Sequence, residues 1–449
     1  MKMNSLLAAA IVLAALSGVL YWSNHRKPKE DAVKVSADTP PKILTLTQAD
    51  ITKVDIKKKN GDAVELVKNE GGKWQIVAAK PLRADQIEVS SMLSTLSSLS
   101  SDRLIDEKAG NLADYGLAQP SIEVDVTEKD NKTYKVLIGD STPAGNATYV
   151  ALAGNPRVFT LANYAKTSLD KTAKDLRDKR LLVFEQDKLS RVELNAKKQD
   201  IEFGRNKDQW QIVKPKPFRA DDAKVEELIR KLGDAKMDLN VSDDDQKKVV
   251  AAFNSGAPVA TAKVTDSSGT EELQLRKSKD DYYAKSTAVE GVYKVGSDVG
   301  TALDKTVDDF RNKKLFDLGF NDPDKIELHV GAKAYFLTKG GADWFSADGK
   351  KVDAISAETF VGAVRNLAAS KFLESGAGTP ELELTATSNS GKTVEKILIS
   401  KDGDHYVAKR DAEPALYQLD PVAVTGLEKA AQDLKPAVGP KPEPAKKKQ

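Results

Sequence analysis

Lys73–Asp85 reads KWQIVAAKPLRAD, and Gln209–Asp221 reads QWQIVKPKPFRAD. Two stretches this alike, 136 residues apart, identify a tandem array before any element is assigned. A third tryptophan, Trp344, follows 134 residues after Trp210, in the drifted stretch DWFSADGKKVDAIS. Upstream of the tryptophans, Ile43–Ile56, Leu181–Leu194 and Leu315–Leu328 align without gaps, and each ends in an alternation that predicts a strand. Downstream, ADQIEVSSMLSTL from Ala84, ADDAKVEELIRKL from Ala220 and ISAETFVGAVRNL from Ile355 predict a helix. Val89, Met92, Leu93 and Leu96 form its buried stripe, and Asp85, Asp221 and Ser356 are its predicted N-caps.

Further along, Pro120, Pro258 and Pro380 each precede a hairpin with turns at Asp130-Asn131, Ser268-Gly269 and Ser390-Gly391. A further strand pair carries Tyr149, Tyr283 and Tyr406, and a last helix begins at Leu169, Leu303 and Leu427. Each unit therefore reads β–β–β–α–β–β–β–β–α. Aromatics that keep the period of the repeat are read as core anchors rather than a ligand platform: Trp74, Trp210, Trp344, Tyr149, Tyr283 and Tyr406. The expected fold class is α+β: an N-terminal single transmembrane helix followed by three tandem diverged α/β repeat units. Each unit is a mostly antiparallel sheet with two helices. The boundaries are residues 1–24 for the anchor, 25–42 for a linker, 43–180, 181–314 and 315–436 for the units, and 437–449 for a disordered Pro/Lys-rich tail.

The anchor rests on Leu6–Trp22, seventeen residues without a charge. At ~1.5 Å per residue they make about 26 Å of helix against a hydrocarbon core of about 30 Å. Tyr21 and Trp22 stand where an interfacial belt would stand. The alternative is a cleaved signal peptide, but no A-x-A site follows the run. The expected location is the inner (cytoplasmic) membrane, contacted through residues 6–22. Arg26, Lys27 and Lys29 argue for a cytoplasmic body; the absence of cysteine and the resemblance given below favour a periplasmic one.

The 449 residues carry 69 basic and 67 acidic side chains, an even balance that leaves no electrostatic footprint for nucleic acid. With no cysteine there is no disulfide, thiolate metal site or cysteine nucleophile. His25, His329 and His405 are too few for a histidine metal cluster, and no phosphate-binding glycine motif points to a nucleotide. Asp243-Asp244-Asp245 lacks the spacing of a calcium loop and reads as a solvated acidic turn or helix cap. No cofactor is indicated. One constellation resembles a catalytic one. Gly139-Asp140-Ser141, Gly319–Asp322 and Asp402–His405 follow the order of the blocks of a serine esterase, with Ser141 as nucleophile, His405 as base and Asp402 as its orienter. The repeat register puts the three blocks in three different hairpin corners and opposes this reading, so no catalytic residue is assigned.

Together with KW-x-I-V, R-A-D and the apolar N-terminus, the motifs LADYGL (Leu112–Leu117), IGDSTPAG (Ile138–Gly145), VFTL and LRDKRLLVF carry a resemblance. They resemble the bacterial family catalogued as domain of unknown function 4340, whose members look like single-pass envelope proteins. Such proteins often accompany transporters of the ATP-binding cassette type. The resemblance implies a place and a partner, not an activity. The expected function is a non-enzymatic, membrane-anchored envelope protein that scaffolds or assists such a complex. The alternative is a binding module for an envelope polysaccharide or lipid.

Overall fold

The computed structural model describes residues 41–207, 209–318, 322–376 and 378–437. The expected anchor, nearly all of the linker and the tail beyond Ala437 lie outside the described residues. Among the described residues, no helix is long and apolar enough to cross a membrane. The chain divides into two compact units, residues 1–178 and 179–449, taken in turn.

In the first unit, β1 (Ile51–Lys58), β2 (Ala63–Lys68), β3 (Trp74–Ile76) and β4 (Leu82–Arg83) lead into α1 (Gln86–Ser97). Then come β5 (Arg103–Asp106), β6 (Ile122–Glu128), β7 (Thr133–Ser141), β8 (Ala147–Leu152), β9 (Val158–Ala162), α2 (Asn163–Leu169) and the single turn α3 (Ala173–Leu176). The nine strands form one antiparallel sheet in the order β4-β3-β2-β1-β6-β7-β8-β9-β5. Strand alternation turns Val54, Ile56, Val124 and Val126 inward. The stripe Val89, Met92, Leu93 and Leu96 of α1 buries against that face.

The second unit holds two sheets. The first contains β10 (Arg191–Ala196), β11 (Gln199–Asn206), β12 (Gln209–Lys214), β13 (Phe218–Arg219), α4 (Asp222–Asp234) and α5 (Asp243–Ser255). It continues with β14 (Ala257–Asp266), β15 (Gly269–Ser278), β16 (Asp281–Ser286), β17 (Val292–Val295) and α6 (Ser297–Leu303). The other contains β18 (Lys325–Val330), β19 (Lys333–Gly340), β20 (Asp343–Phe345), α7 (Ala354–Arg365) and β21 (Lys371–Leu373). It ends with β22 (Leu382–Ser388), β23 (Thr393–Asp402), β24 (His405–Arg410), β25 (Leu416–Leu419) and α8 (Pro421–Gln432). Their orders, β13-β12-β11-β10-β14-β15-β16-β17 and β20-β19-β18-β22-β23-β24-β25-β21, follow that of the first unit, except that among the described residues the former lacks an equivalent of β5 and the latter one of β4. The fold is α+β with three repeat units.

The repetition extends to single hydrogen bonds. The N–H groups of Ile43, Leu181 and Leu315 donate to the carbonyls of Leu99, Ala235 and Leu367. Those of Asp85, Asp221 and Asp353 donate to Leu176, Phe310 and Lys435. Trp74, Trp210 and Trp344 are all buried, and each lies under the cation of the residue paired with it on the neighbouring strand: Lys68, Arg205 and Lys339, at 5.3, 5.5 and 5.6 Å.

Four details differ from the sequence reading. The cap of α7 is Asp353, whose carboxylate accepts from Ser356 N–H, so Ser356 is the third helical residue. The third repeat is two residues shorter between its tryptophan and its cap, which hid the equivalence with Asp85 and Asp221. Leu169 and Leu303 end helices rather than begin them: Asp170 and Asp304 leave helical geometry, and Thr172 and Thr306 cap a fresh turn through Asp175 and Asp309. The second repeat has a third helix, α5, with Asp243–Asp245 as its first turn and Ser242 as its cap. Finally, the three tyrosines do not share one site. Tyr406 pairs with Leu419 as Tyr282, not Tyr283, pairs with Val295. A one-residue slip reverses the face. Tyr406 and Tyr282 pack on the main cores, while Tyr149 packs in a satellite cluster with Leu117. Tyr149, Tyr283 and Tyr406 are half-buried, whereas the three tryptophans are buried.

Candidate functional site

Residues 311–314 are the seam between the two sheets of the second unit. Arg311 bridges to Ala220 beside β13, and Asn312 N–H donates to the Arg219 carbonyl. Lys314 bridges to Ala368, and Ala369 N–H donates to the Lys313 carbonyl. A short extended link therefore ties the edge of one sheet to the next.

Around this seam lie the most buried charges of the second unit. The Arg311 guanidinium lies between the rings of Phe218 and Phe372, 4.0 and 3.5 Å from their centroids. Stacking of this kind is open to a planar guanidinium and not to an ammonium. Arg219 leaves β13 to meet Asp317 at 2.6 Å, Glu413 at 3.2 Å and the Tyr417 hydroxyl at 3.2 Å. Arg410, only 5% exposed, is held by Glu395, by Asp317 at 3.4 Å and by Glu413 at 3.4 Å. The Tyr417 hydroxyl donates to Glu413, and Asp317 N–H donates to Glu395 at 3.0 Å. Burial pushes the Tyr417 hydroxyl up to about 12, against the pull of Arg219. Burial also raises the Glu395 carboxyl above its ordinary value, with Arg410 opposing. The charges are paired and their hydrogen bonds filled, which is the condition for keeping ions at such a place. Chemically the cluster is a clamp: the guanidinium groups of Arg219 and Arg410 are each held by carboxylates.

The residues weighed for catalysis are not assembled into one site. Ser141 ends β7 in the first unit, where the described residues include no histidine. Asp402 and His405 flank the β23–β24 turn in the second unit, with His405 Nε2 3.9 Å from Asp402 and Nδ1 3.1 Å from Asp404. A hydrogen bond from His405 holds the Asp404 carboxyl below its ordinary value. Gly319, Phe320 and Asn321 lie outside the described residues. His329 stands on β18 edge-to-face with Phe336 at 5.7 Å. Among the described residues no group of three or more His, Asp or Glu side chains is placed to hold a metal ion. Sequence reasoning missed the clamp. Its one visible signal is the arginine of R-A-D, which recurs at Arg83 and Arg219 and enters the sequence reading only through the repeated stretch and the family motif.

The family described as Domain of unknown function (DUF4340) matches the chain over residues 74–211 and again over residues 210–387, and the chain belongs to it. Both matches open at the repeated tryptophan strands, so the family's unit runs out of phase with the sheets: it begins at β3 or β12 and ends within the following sheet. No curated protein and no solved structure matches the chain.

Proposed function

We propose that this chain is a non-enzymatic, membrane-anchored envelope protein that acts as a scaffold or auxiliary component of a membrane complex. It is held in the inner membrane through residues 6–22, with its body on the periplasmic side. The observation that carries this reading is the clamp: Arg219 of β13 is committed to Asp317, Glu413 and Tyr417 of the next repeat, and Arg311 is held between Phe218 of one repeat and Phe372 of the other. Two sheets tied to one another within the second unit suit a protein that holds others in place. The sheet faces away from the helices support the same reading. Glu65, Asp55, Asp125 and Lys135 stand opposite one another across four strands of the first sheet. Glu202, Glu193, Lys263 and Glu272 do so in the second. Mixed-sign faces of this kind set specificity in protein contacts more than affinity. The family resemblance supplies the partner: subunits of an ATP-binding cassette transporter.

The test is crosslinking of the tagged full-length protein in its native membrane, with mass spectrometry of what co-purifies. Recovery of a transporter permease or its auxiliary subunit, lost on deletion of the repeats, is the expected result. No protein recovered above an anchor-only control overturns the reading.

A further inference from the structure

The hairpin joining β10 and β11 turns on Lys197 and Lys198, at φ 51° and 61°. Ala196 pairs with Gln199, so the turn has two residues, both left-handed, a form that favours Asn-Gly or Gly-Gly. In the same hairpin of the other sheets, Gly61 and Gly331 take the left-handed position, at φ 94° and 56°. Side chains with a Cβ are strained there, and such strain concentrates at functional sites. For Lys197 a structural role exists: its ammonium lies 2.8 Å from Asp304, as Lys58 lies 2.6 Å from Asp170 in the first unit. Lys198 has no ion pair among the described residues.

Both lysines line a groove of about 580 Å³ with Arg276, Lys277 and a single carboxylate, Asp304. The carbonyls of Phe253 and Asn254 accept from Arg276 at 3.4 and 3.3 Å and fix its guanidinium. On the groove wall β14 bulges between Pro258 and Ala260, which takes Val259 out of the ladder. Bulges gather beside sites because they free backbone groups and re-aim side chains. We propose that this groove binds a phosphate-bearing anion. Lys197 is neutralised by Asp304, and Arg276 turns to the opposite strand face over the Phe253 ring, so Lys198 and Lys277 are the groove's cations without an ion pair among the described residues. Two such cations suit a group that carries about two negative charges near neutral pH. The phosphate belongs either to an anionic lipid headgroup or to a free ion. The inference does not depend on the scaffold reading.

The test is lysine acetylation of the full-length protein in neutral detergent, read residue by residue by mass spectrometry. The probes are inorganic phosphate, short-chain phosphatidylglycerol, and chloride at matched ionic strength. The expected result is several-fold slower labelling of Lys198 and Lys277, with Lys333 on the other sheet unchanged. Protection by inorganic phosphate assigns a free-phosphate source; protection by phosphatidylglycerol alone assigns a lipid headgroup. No protection, or equal protection by chloride, overturns the site. The variant Lys198→Gly relieves the turn, so its Tm is expected to rise while protection of Lys277 is lost. Protection of Lys277 that survives in K198G also overturns the proposal.

Discussion

At Gly139 an added Cβ would lie 2.2 Å from the Tyr115 carbonyl oxygen, and at Gly116, φ +69°, it would meet the Asp140 carboxylate at 2.4 Å. LADYGL and IGD are thus two halves of one close approach, and the glycine of the esterase-like block is there for packing. Gly139→Ala is expected to cost about 3 kcal/mol in urea unfolding of the first unit, because backbone must move. Ser141→Ala, at an exposed site, is expected to stay within about 0.5 kcal/mol. At the clamp, Arg410→Leu is expected to cost about 3 kcal/mol, since it leaves the mostly buried Glu395 without its cation. Glu395 adds a pH signature. Its folded carboxyl binds its proton more tightly than the ordinary value of 4.5, so ionising it costs stability. That cost is present at neutral pH, declines as pH falls through the raised folded value, and is gone below 4.5. The stability of the wild type relative to Glu395→Gln is therefore expected to rise as pH drops from neutral toward 4.5. A flat difference would show that Glu395 titrates as in the unfolded chain.

The helix caps test the register at the scale of elements. Asp85, Asp221 and Asp353 each accept from N–H groups in the first turn, so each change to alanine is expected to cost about 1 kcal/mol by denaturant unfolding. Ser356→Ala, which removes only a hydroxyl bond to the Asp353 carbonyl, is expected to cost less. Equal costs at Asp353 and Ser356 would contradict the assigned cap. What the sequence made legible follows the same logic. Near-identical stretches around Trp74 and Trp210 and the 3.6-residue stripes were local signals, and they yielded the repeat, its strands and its first helix. Asp353 escaped because a two-residue deletion broke the alignment that worked for Asp85 and Asp221. The helix ends at Leu169 and Leu303 escaped because a second capped turn follows at once and extends the apparent pattern. The slip at Tyr406 left no trace in composition. The clamp escaped for another reason: Arg219 meets Glu413 across 194 residues of chain, and no local pattern encodes such a pair.

For the whole second unit, the clamp and the link at 311–314 imply that its two sheets behave as one body. Among the described residues neither sheet lends the other a strand beyond that short link, so the unity rests on Arg219 and Arg311 and their partners. The most direct measurement is hydrogen exchange of the full-length protein against denaturant, with mass spectrometry on wild type and Arg219→Leu, which removes the cross-sheet guanidinium. In the wild type, amides of β14–β15 and of β22–β23 are predicted to open together, with one free energy. In the variant, β22–β23 are predicted to open at lower denaturant than β14–β15. Separate openings in the wild type, or a variant that leaves both sheets coupled, would contradict the account of the clamp.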